Sequence, residues 1–383
     1  MRGTDSGSAR PLRELAAFFL RLGLTAFGGP AAHVALMEQE AVQRRGWLSH
    51  EAFLDLLGLT NLIPGPGSTQ MAMGIGYQRA GWLGLLLGGL CFILPAALLT
   101  LVLAWAYVRF GRLPQAQGLL YGIKPVVLAI VFQALWNLGR TAFKSRVLWL
   151  LGTVALGLSA LGVHPVVVLL GGGLASAWWA RLQAPPAEKT VLGACSPLGL
   201  GVAGLPSAGL LGLFLAFLKF GVVVFGSGYV LLAFLKADLV DRWHWLTQAQ
   251  LLDAVAAGQV TPGPVFTTAT FIGYLLHGWS GALVATLGIF LPSFLMVGGL
   301  GSLQARLKRI PQSRAFLDGI NVGALALMAT VTAGLARAAL VDFGTLLLGL
   351  LSAVLLLRTK LNPTWLVLGG GVVGLMVRGL GRF

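Results

Sequence analysis

Residues 61–66 read Asn-Leu-Ile-Pro-Gly-Pro, and residues 259–264, which lie 198 positions later, read Gln-Val-Thr-Pro-Gly-Pro. Each stretch lies inside a long apolar segment. Because proline lacks a backbone N–H group and glycine permits positive φ, each stretch predicts a helix that stops and restarts. Non-helical backbone at membrane depth is tolerated only where it is buried in protein or lines a water-filled cavity. We therefore expect a substrate site at these breaks.

The composition indicates a membrane protein. Of 383 residues, 57% are hydrophobic and only 10% are charged, whereas soluble domains average about 25% charged residues. A helix that crosses a bilayer needs about 20 apolar residues, so the apolar stretches predict an all-α polytopic integral membrane protein with about 10–12 membrane segments. These stretches are 12–36, 52–78, 81–108, 117–138, 147–162, 164–180, 210–235, 249–276, 278–300, 316–336, 342–357 and 363–380. We expect no cleavable signal peptide, because the residues before the first stretch are polar.

The two breaks belong to a duplication that covers most of the chain. At the same offset, the first segments match at their own glycine breaks, Gly28-Gly29-Pro30 and Gly226-Ser227-Gly228. Other matched pairs are Asp55 with Asp253, Pro165 with Pro363, and the triplets Gly171–Gly173 and Gly369–Gly371, which we interpret as helix-packing surfaces. Such self-similarity marks a repeat architecture. We expect domains at 1–180 and 210–383, joined by a linker at 181–209.

The Lys and Arg residues predict that the two halves are inserted in opposite orientations. In loops after the second and fourth segments, the basic residues are Arg79, Arg140, Lys144 and Arg146 in the first half and Arg337 in the second. In loops after the third and fifth segments, they are Arg109 and Arg112 in the first half and Arg306, Lys308, Arg309, Arg314, Arg358 and Lys360 in the second. Because cytoplasmic loops retain positive charge, this reversal indicates two inverted-topology repeats with broken helices. A parallel repeat is the alternative.

The broken helices are candidates for an anion site. Each restart exposes backbone N–H groups and the positive end of a helix dipole, and nearby hydroxyl groups add donors. The glycines and Ser227 at the breaks are Gly28, Gly29, Gly65, Gly67, Gly226, Ser227, Gly228 and Gly263, and the hydroxyls that follow are Ser68, Thr69, Thr267 and Thr268. An oxyanion fits such a site. The alternative is that these Pro-Gly motifs only kink helices for packing, since both residues are frequent in membrane helices.

Charged residues within apolar segments are a functional hypothesis by default. Arg21 and Lys219 occupy matched positions, and we expect them to balance a bound dianion, although snorkelling to an interface is the alternative. Lys124 is a third cation, confined to one half. The matched carboxylates Asp55 and Asp253 are candidates to pair with Arg21 or Lys219, to carry a coupled proton, or only to complement a helix dipole.

The matched amides Asn61 and Gln259 directly precede the breaks, and an amide can both donate and accept hydrogen bonds. We include them as substrate-binding candidates. Ordinary hydrogen bonding between helices is the alternative.

Other classes of function are disfavoured. The net charge of +15 does not indicate nucleic acid, because the basic residues are scattered singly between apolar segments. The two cysteines and five histidines are dispersed, so we expect no metal site and no cofactor. Catalytic and nucleotide-binding motifs are also missing from the sequence. We therefore expect no enzyme.

The first half contains Leu22-Gly23-Leu24-Thr25-Ala26-Phe27-Gly28-Gly29-Pro30 within Phe18–His33, and Asn61-Leu62-Ile63-Pro64-Gly65-Pro66-Gly67-Ser68. These two stretches resemble the chromate ion transporter family. The second half is similar to the other domain of that family at Lys219-Phe220-Gly221, Phe225-Gly226-Ser227-Gly228 and Val260–Val265, with Ser227 standing where the family pattern has a third glycine. The likeness covers both repeats.

The resemblance implies a proton-driven chromate efflux transporter of the bacterial inner membrane that confers chromate resistance. In that scheme the partners are chromate, protons and membrane lipid, the binding site lies between the halves, and Asp55 or Asp253 carries the proton. Sulfate is also a tetrahedral dianion, so a transporter of sulfate or another oxyanion and a passive anion channel are the alternatives. The sequence leaves open whether the chain forms a homodimer.

Overall fold

The computed structural model describes residues 6–27, 29–111, 113–183, 209–225, 228, 230–300, 311–359 and 361–380. These residues form helices joined by turns, with no strand among them. In chain order, the α-helices are α1 (Ser6–Thr25), α2 (Gly29–Glu38), α3 (His50–Thr60), α4 (Gly67–Phe110), α5 (Pro114–Ala142), α6 (Arg146–Ala160), α7 (Pro165–Gln183), α8 (Leu210–Val223), α9 (Val230–Leu235), α10 (Gln248–Val260), α11 (Thr268–Leu300), α12 (Pro311–Ala339), α13 (Phe343–Arg358) and α14 (Pro363–Leu380).

The helices confirm an all-α polytopic membrane protein. Within the described residues, five stretches are long and apolar enough to cross a bilayer: Gly67–Phe110, Pro114–Arg140, Pro165–Gln183, Val265–Gly299 and Ala315–Ala339. Helices α6, α8, α13 and α14 are apolar but shorter. Many large apolar side chains on the outer surface are exposed, as expected for a protein that lipid surrounds.

The predicted segment 52–78 is a hairpin. It consists of α3 and the first arm of α4, and Leu56 of α3 packs against Gly74 of α4. In one straight helix these two residues would lie about 27 Å apart, so the chain reverses at the break between them. Helix α4 then reverses again at Gly81 (φ 61°), beyond which Gly84 lies against Gly76. The break therefore forms the tip of a re-entrant element.

The first predicted segment also turns back. Helix α1 ends at Thr25, and Trp47, which follows α2 and a short π-helical turn, returns to lie 5.8 Å from the ring of Phe18 in α1. The tips of the two hairpins of the first half meet, because His33 of α2 bonds both Ala26 and Ser68.

The second half repeats these conformations. Ala80 and Gly81 have φ, ψ values of −147°, 26° and 61°, −147°. Their counterparts His277 and Gly278 in α11 have −140°, 23° and 60°, −143°. Gly278 is followed by Gly281, which lies against Gly273. The duplication in the sequence is thus a duplication of backbone geometry.

Equivalent helices of the two halves pack in an antiparallel direction. Along the second arms of α4 and α11, Trp82 meets Gly298 and Gly89 meets Phe294. Two helices of the first half also pack on helices of the second: α5 packs on α14, where Gly122 meets Gly370, and α7 packs on α12. The last two glycines of each triplet, Gly172-Gly173 and Gly370-Gly371, lie in these two contacts, which confirms them as packing surfaces, whereas nothing lies within 4 Å of the Cβ positions of Gly171 and Gly369.

Candidate functional site

The breaks of the two halves meet and bond each other crosswise. The N–H of Gly65 donates to the carbonyl oxygen of Val224 at 2.7 Å, and the N–H of Gly263 donates to the carbonyl oxygen of Ala26 at 3.0 Å. Ala26 and Val224 are matched positions, as are Gly65 and Gly263. The two hydrogen bonds are therefore equivalents of each other across an approximate two-fold axis.

Two of these positions require glycine. Gly65 has φ +122° and Gly263 has φ +91°, conformations that side chains disfavour. A Cβ atom on Gly263 would lie 2.8 Å from the Cβ of Ala96, and one on Gly65 would meet Gln70 and Ser293, of which Ser293 is the counterpart of Ala96. The absence of side chains lets the tips approach the neighbouring helices and bond across the halves.

A cavity lies beside one of the two crossed bonds. It encloses about 430 Å³ of empty space, including its open mouth, and is lined by Ala26, Phe27, Gly29, Ile130, Gln133, Gly258, Gln259, Thr261, Gly263, Val265, Pro363 and Thr364. The first break of one half and the second break of the other form most of its wall. None of these residues, all within the described part of the chain, carries a charge.

Three helices begin at this wall. Gly29 is the first residue of α2, Val265 starts the 3₁₀ turn that leads into α11, and Pro363 is the first residue of α14. The start of α14 offers no free N–H from its cavity residues, because Pro363 has none and the N–H of Thr364 donates to Oδ1 of Asn362 at 3.0 Å. The first turn of a helix presents unpaired N–H groups and the positive end of its dipole. The cavity is therefore electrically suited to an anion even though its side chains are neutral.

Polar side chains complete the wall. Nε2 of Gln259 is buried and has no hydrogen-bond partner among the described residues, and Gln259 lines the cavity, so an unused donor lies at this wall. Nε2 of Gln133 donates to the carbonyl oxygen of Leu356 at 2.7 Å. The hydroxyl of Thr261 donates to the carbonyl oxygen of Gly258 at 3.2 Å. Gln259 thus supplies a buried amide donor that no described residue satisfies.

The predicted hydroxyl donors need correction. Thr267 and Thr268 each use the hydroxyl proton within the break, donating to the carbonyl oxygens of Pro264 at 2.9 Å and Val265 at 2.8 Å. A hydroxyl has one proton to donate, so neither of these two groups is free for an anion. Ser68 and Thr69 are buried at the opposite break, where Ser68 lies 3.3 Å from Nδ1 of His33.

The predicted cations also lie elsewhere. Nζ of Lys219 pairs with Asp238 at 2.7 Å, so of the alternatives open for Asp253, pairing with Lys219 is not the one observed. Asp238 lies 19 positions after Lys219, on a π-helical turn that faces α8, and its carboxylate accepts the hydrogen bond from Nζ. Arg21 is exposed on α1 and is not part of the cavity wall. Neither Arg21 nor Lys219 lines the cavity, so neither is positioned to balance the charge of a dianion bound there.

Lys124 is the cation that pairs with Asp253. The distance from Nζ to Oδ1 is 3.1 Å, and the hydroxyl of Tyr107 donates to the other carboxylate oxygen at 2.9 Å. Asp253 is almost fully buried, with 4% of its side chain exposed. Its counterpart Asp55 is exposed, as is Asn61, the counterpart of Gln259.

The remaining predicted site residues divide into two groups. Gly29 and Gly263 line the cavity, while Gly67 begins α4 and Gly228 packs beside Phe266. Gly28, Gly226 and Ser227 lie outside the described residues.

Several residues of the site are missing from the sequence predictions. Thr261 adjoins Pro262-Gly263-Pro264, and Pro363 matches Pro165 in the other half. Comparison of the two repeats could therefore have identified both as site residues. Asp238 matches another acidic residue, Glu40, at the offset of 198. Gln133 and Tyr107 carry no comparable mark in the sequence.

Comparisons with known proteins agree on one family. The family model described as Chromate transporter matches residues 13–177 and again 211–375. The chain is 34% identical to the chromate transport protein of Cupriavidus metallidurans, over 95% of this chain and 93% of that protein. It is 34% identical to the probable chromate transport protein of Synechococcus elongatus, over 90% of each. It is 32% identical to the chromate transport protein of Pseudomonas aeruginosa, over 95% of this chain and 92% of that protein. No solved structure gives a significant match.

Proposed function

The chain belongs to the chromate transporter family, and from this membership we propose that it exports the chromate dianion from the cytoplasm in exchange for protons. The family is one of transporters, and the protein is a multi-pass membrane protein. The bacterial inner membrane is the proposed location, and chromate resistance is the proposed consequence. The two domains would be 1–180 and 210–383, with 181–209 as the linker.

The cavity at the crossed breaks is the observation that supports binding of an oxyanion. The starts of α2 and of the 3₁₀ turn before α11 lie at a space without a negative side chain, and Gln259, whose Nε2 atom is buried without a partner, lines the same space. Backbone N–H groups at helix starts are established binders of tetrahedral oxyanions. The cavity is complete within one chain, so the proposed mechanism does not require a homodimer.

Inverted repeats supply the proposed way of alternating access. The antiparallel packing of α4 on α11 supports opposite insertion of the halves, as does the reversed distribution of basic loop residues. We call the side on which α1 begins the near side and the side on which α4 ends the far side. Arg79 bonds Glu14 of α1 and Lys144 follows the end of α5, and this positive charge supports our proposal that the near side is cytoplasmic.

Asp253 is the proposed proton carrier. It lies five residues before Gly258 of the cavity wall, about 7.5 Å along α10. Lys124 neutralises it in the observed state. Protonation of Asp253 would release Lys124, whose charge would then favour entry of the anion. Asp55, in the matched position on the near side, is the second proposed carrier.

Transport by purified protein in liposomes tests this proposal. Chromate uptake would be measured with and without an imposed pH gradient, and with sulfate as a competitor. Gradient-driven accumulation of chromate that resists excess sulfate is the expected result. Downhill flux that ignores the pH gradient and is shared equally with sulfate would contradict coupled chromate transport and would identify a broad oxyanion pathway.

A further inference from the structure

Two clusters of charged side chains lie on the far side of the cavity. The first consists of Lys124, Asp253 and Tyr107. Lys124 precedes Ile130 of the cavity wall by six residues, which is about 9 Å along α5. Lys124 comes early in α5, which starts where α4 ends, so the cluster lies toward the far side.

The second cluster consists of Lys219, Asp238 and His164. Asp238 has 1% of its side chain exposed, and its two oxygens lie 2.7 Å from Nζ of Lys219 and 3.4 Å from Nε2 of His164. Lys219 precedes Val224, the residue that bonds Gly65, by five residues. Helix α8 runs parallel to the second arm of α11 and therefore begins on the far side.

Both clusters join one half of the chain to the other. Lys124 and Tyr107 come from the first half and Asp253 from the second. His164 comes from the first half, and Lys219 and Asp238 come from the second. Motion of one half against the other must therefore change the contacts within both clusters.

The matched positions on the near side have a different environment. The counterparts of Lys219, Asp253, Lys124 and His164 are Arg21, Asp55, Asn321 and Asn362, and all four are exposed. Glu40, the counterpart of Asp238, bonds Arg45 of its own π-helical turn at 2.7 Å. The counterpart of Tyr107 is Gln304, outside the described residues. Related positions are therefore buried at one end of the molecule and open at the other.

We propose that the two clusters together form the closed gate on the far side of the cavity, and that the structure is open on the near side. The gate includes Lys219, Asp238 and His164, which the proposed transport cycle does not use. This inference rests on the proposed alternating-access function, but it concerns which side reaches the cavity and can be tested without transport. Breaking a buried ion pair by removal of one partner leaves a charge uncompensated. The halves are joined by Lys124 and Tyr107 on Asp253 in the first cluster and by His164 on Asp238 in the second, so loss of either carboxylate removes a contact between the halves.

Labelling of a cavity cysteine from each side of the membrane tests the gate. In a background of Cys91→Ala and Cys195→Ser, Thr364→Cys places a thiol in the cavity wall. A membrane-impermeant maleimide is applied to intact cells and to inside-out vesicles. Separate Arg44→Cys and Arg109→Cys variants identify the near and far sides. We expect Thr364→Cys to react from the side that labels Arg44→Cys and to be protected from the other.

Opening of the gate is tested by variants in the same background. Asp253→Asn and Asp238→Asn are expected to raise the far-side labelling rate of Thr364→Cys by about tenfold or more. The charge swap of Lys124→Asp with Asp253→Lys is expected to restore protection. The matched control is Asp241→Asn, which breaks the exposed Lys236–Asp241 pair on the same turn as Asp238 and leaves labelling unchanged.

Other results would overturn the proposal. Equal labelling from both sides in the parent protein would show that the far side is not closed. Unchanged far-side labelling in Asp253→Asn and Asp238→Asn, with near-side labelling intact as the test of folding, would show that the clusters do not close it. Failure of chromate transport in liposomes would leave these labelling patterns unaffected and would refute the proposed substrate or coupling instead.

Discussion

At Gly263, one missing methyl group decides whether the halves can meet. Gly263→Ala would force a side chain into φ +91° and place its Cβ 2.8 Å from that of Ala96. Positive φ costs a residue with a side chain about 1–2 kcal/mol, so we expect lower thermal stability and loss of chromate efflux. The measurements are a thermal unfolding curve in detergent and the efflux rate from cells. Gly67→Ala is the control, because nothing lies within 4 Å of its Cβ position; equal losses in both variants would contradict the prediction.

Gln259 is the side chain from which we expect a direct hydrogen bond to the anion. Its Nε2 atom is buried without a partner, and a hydrogen bond to a charged group contributes about 1.5–3 kcal/mol. Gln259→Leu is therefore expected to raise the KM for chromate by about tenfold to a hundredfold, with protein abundance unchanged.

The duplication provides a matched control for Gln259. Asn61 is its counterpart and is exposed at the other break, so Asn61→Leu should leave the KM for chromate nearly unchanged. An equal rise in both variants would show that the amide stabilises the breaks instead of contacting the anion.

The sequence predicted which positions break but not which side chains act there. Pro64-Gly65-Pro66 and the matched Pro262-Gly263-Pro264 predict their own backbone conformations, because proline restricts the backbone locally and glycine frees it. The pairing of Lys219 with Asp238 depends instead on a π-helical turn that folds back on α8, and that turn has no sequence mark. Thr267 and Thr268 likewise satisfy carbonyl groups that the break itself frees.

At the scale of elements, Asp342 links helix stability to pH. It caps α13 by accepting a hydrogen bond from the N–H of Thr345 at 2.8 Å, and that bond lowers the pKa of the carboxyl group below its ordinary value of 3.8. A lowered pKa contributes stability that is present above the ordinary value and is lost as the pH falls through the lowered one. Asp342→Ala should therefore cost about 0.5–2 kcal/mol at neutral pH and much less at about pH 2.

Chemical unfolding in detergent at both pH values measures this difference. Ser145 caps α6 with a neutral hydroxyl that accepts from the N–H of Leu148 at 3.3 Å. Ser145→Ala should thus cost a similar free energy of unfolding at both pH values. A pH-independent cost of Asp342→Ala would show that its charge does not contribute to the cap.

The elements themselves were largely predictable, since hydropathy and proline or glycine positions place most helix ends within a few residues. The reversal of α4 at Ala80-Gly81 was not predictable from the sequence, because the flanking residues are mostly apolar and helical and a glycine is common in membrane helices. The contacts of Gly76 with Gly84 and of Ala72 with Gly88 show that the two arms of α4 fold together.

At the scale of the whole molecule, each half completes the other. Helix α5 packs on α14 and α7 packs on α12, and the tips exchange two backbone hydrogen bonds. We expect that fragments divided between residues 190 and 191, a position outside the described residues, associate when expressed together. An affinity tag on the N-terminal fragment should retain the C-terminal fragment in detergent.

Separate expression is the control for the divided chain. Either fragment alone should be degraded or aggregate, because α5 or α12 would expose glycine-rich surfaces that the other half normally covers. Stable, separately purified fragments that do not bind each other would contradict this dependence between the halves.

The neutral wall of the cavity has a consequence for the evolution of this protein. Main-chain N–H groups exist whatever side chain a codon specifies, so an anion site built from them is robust to most point mutations. Neutral drift can change the lining side chains, and with them the selectivity among oxyanions, without erasing the attraction for negative charge. Mutational sensitivity should be concentrated at glycines such as Gly65 and Gly263, where any side chain would displace the backbone itself.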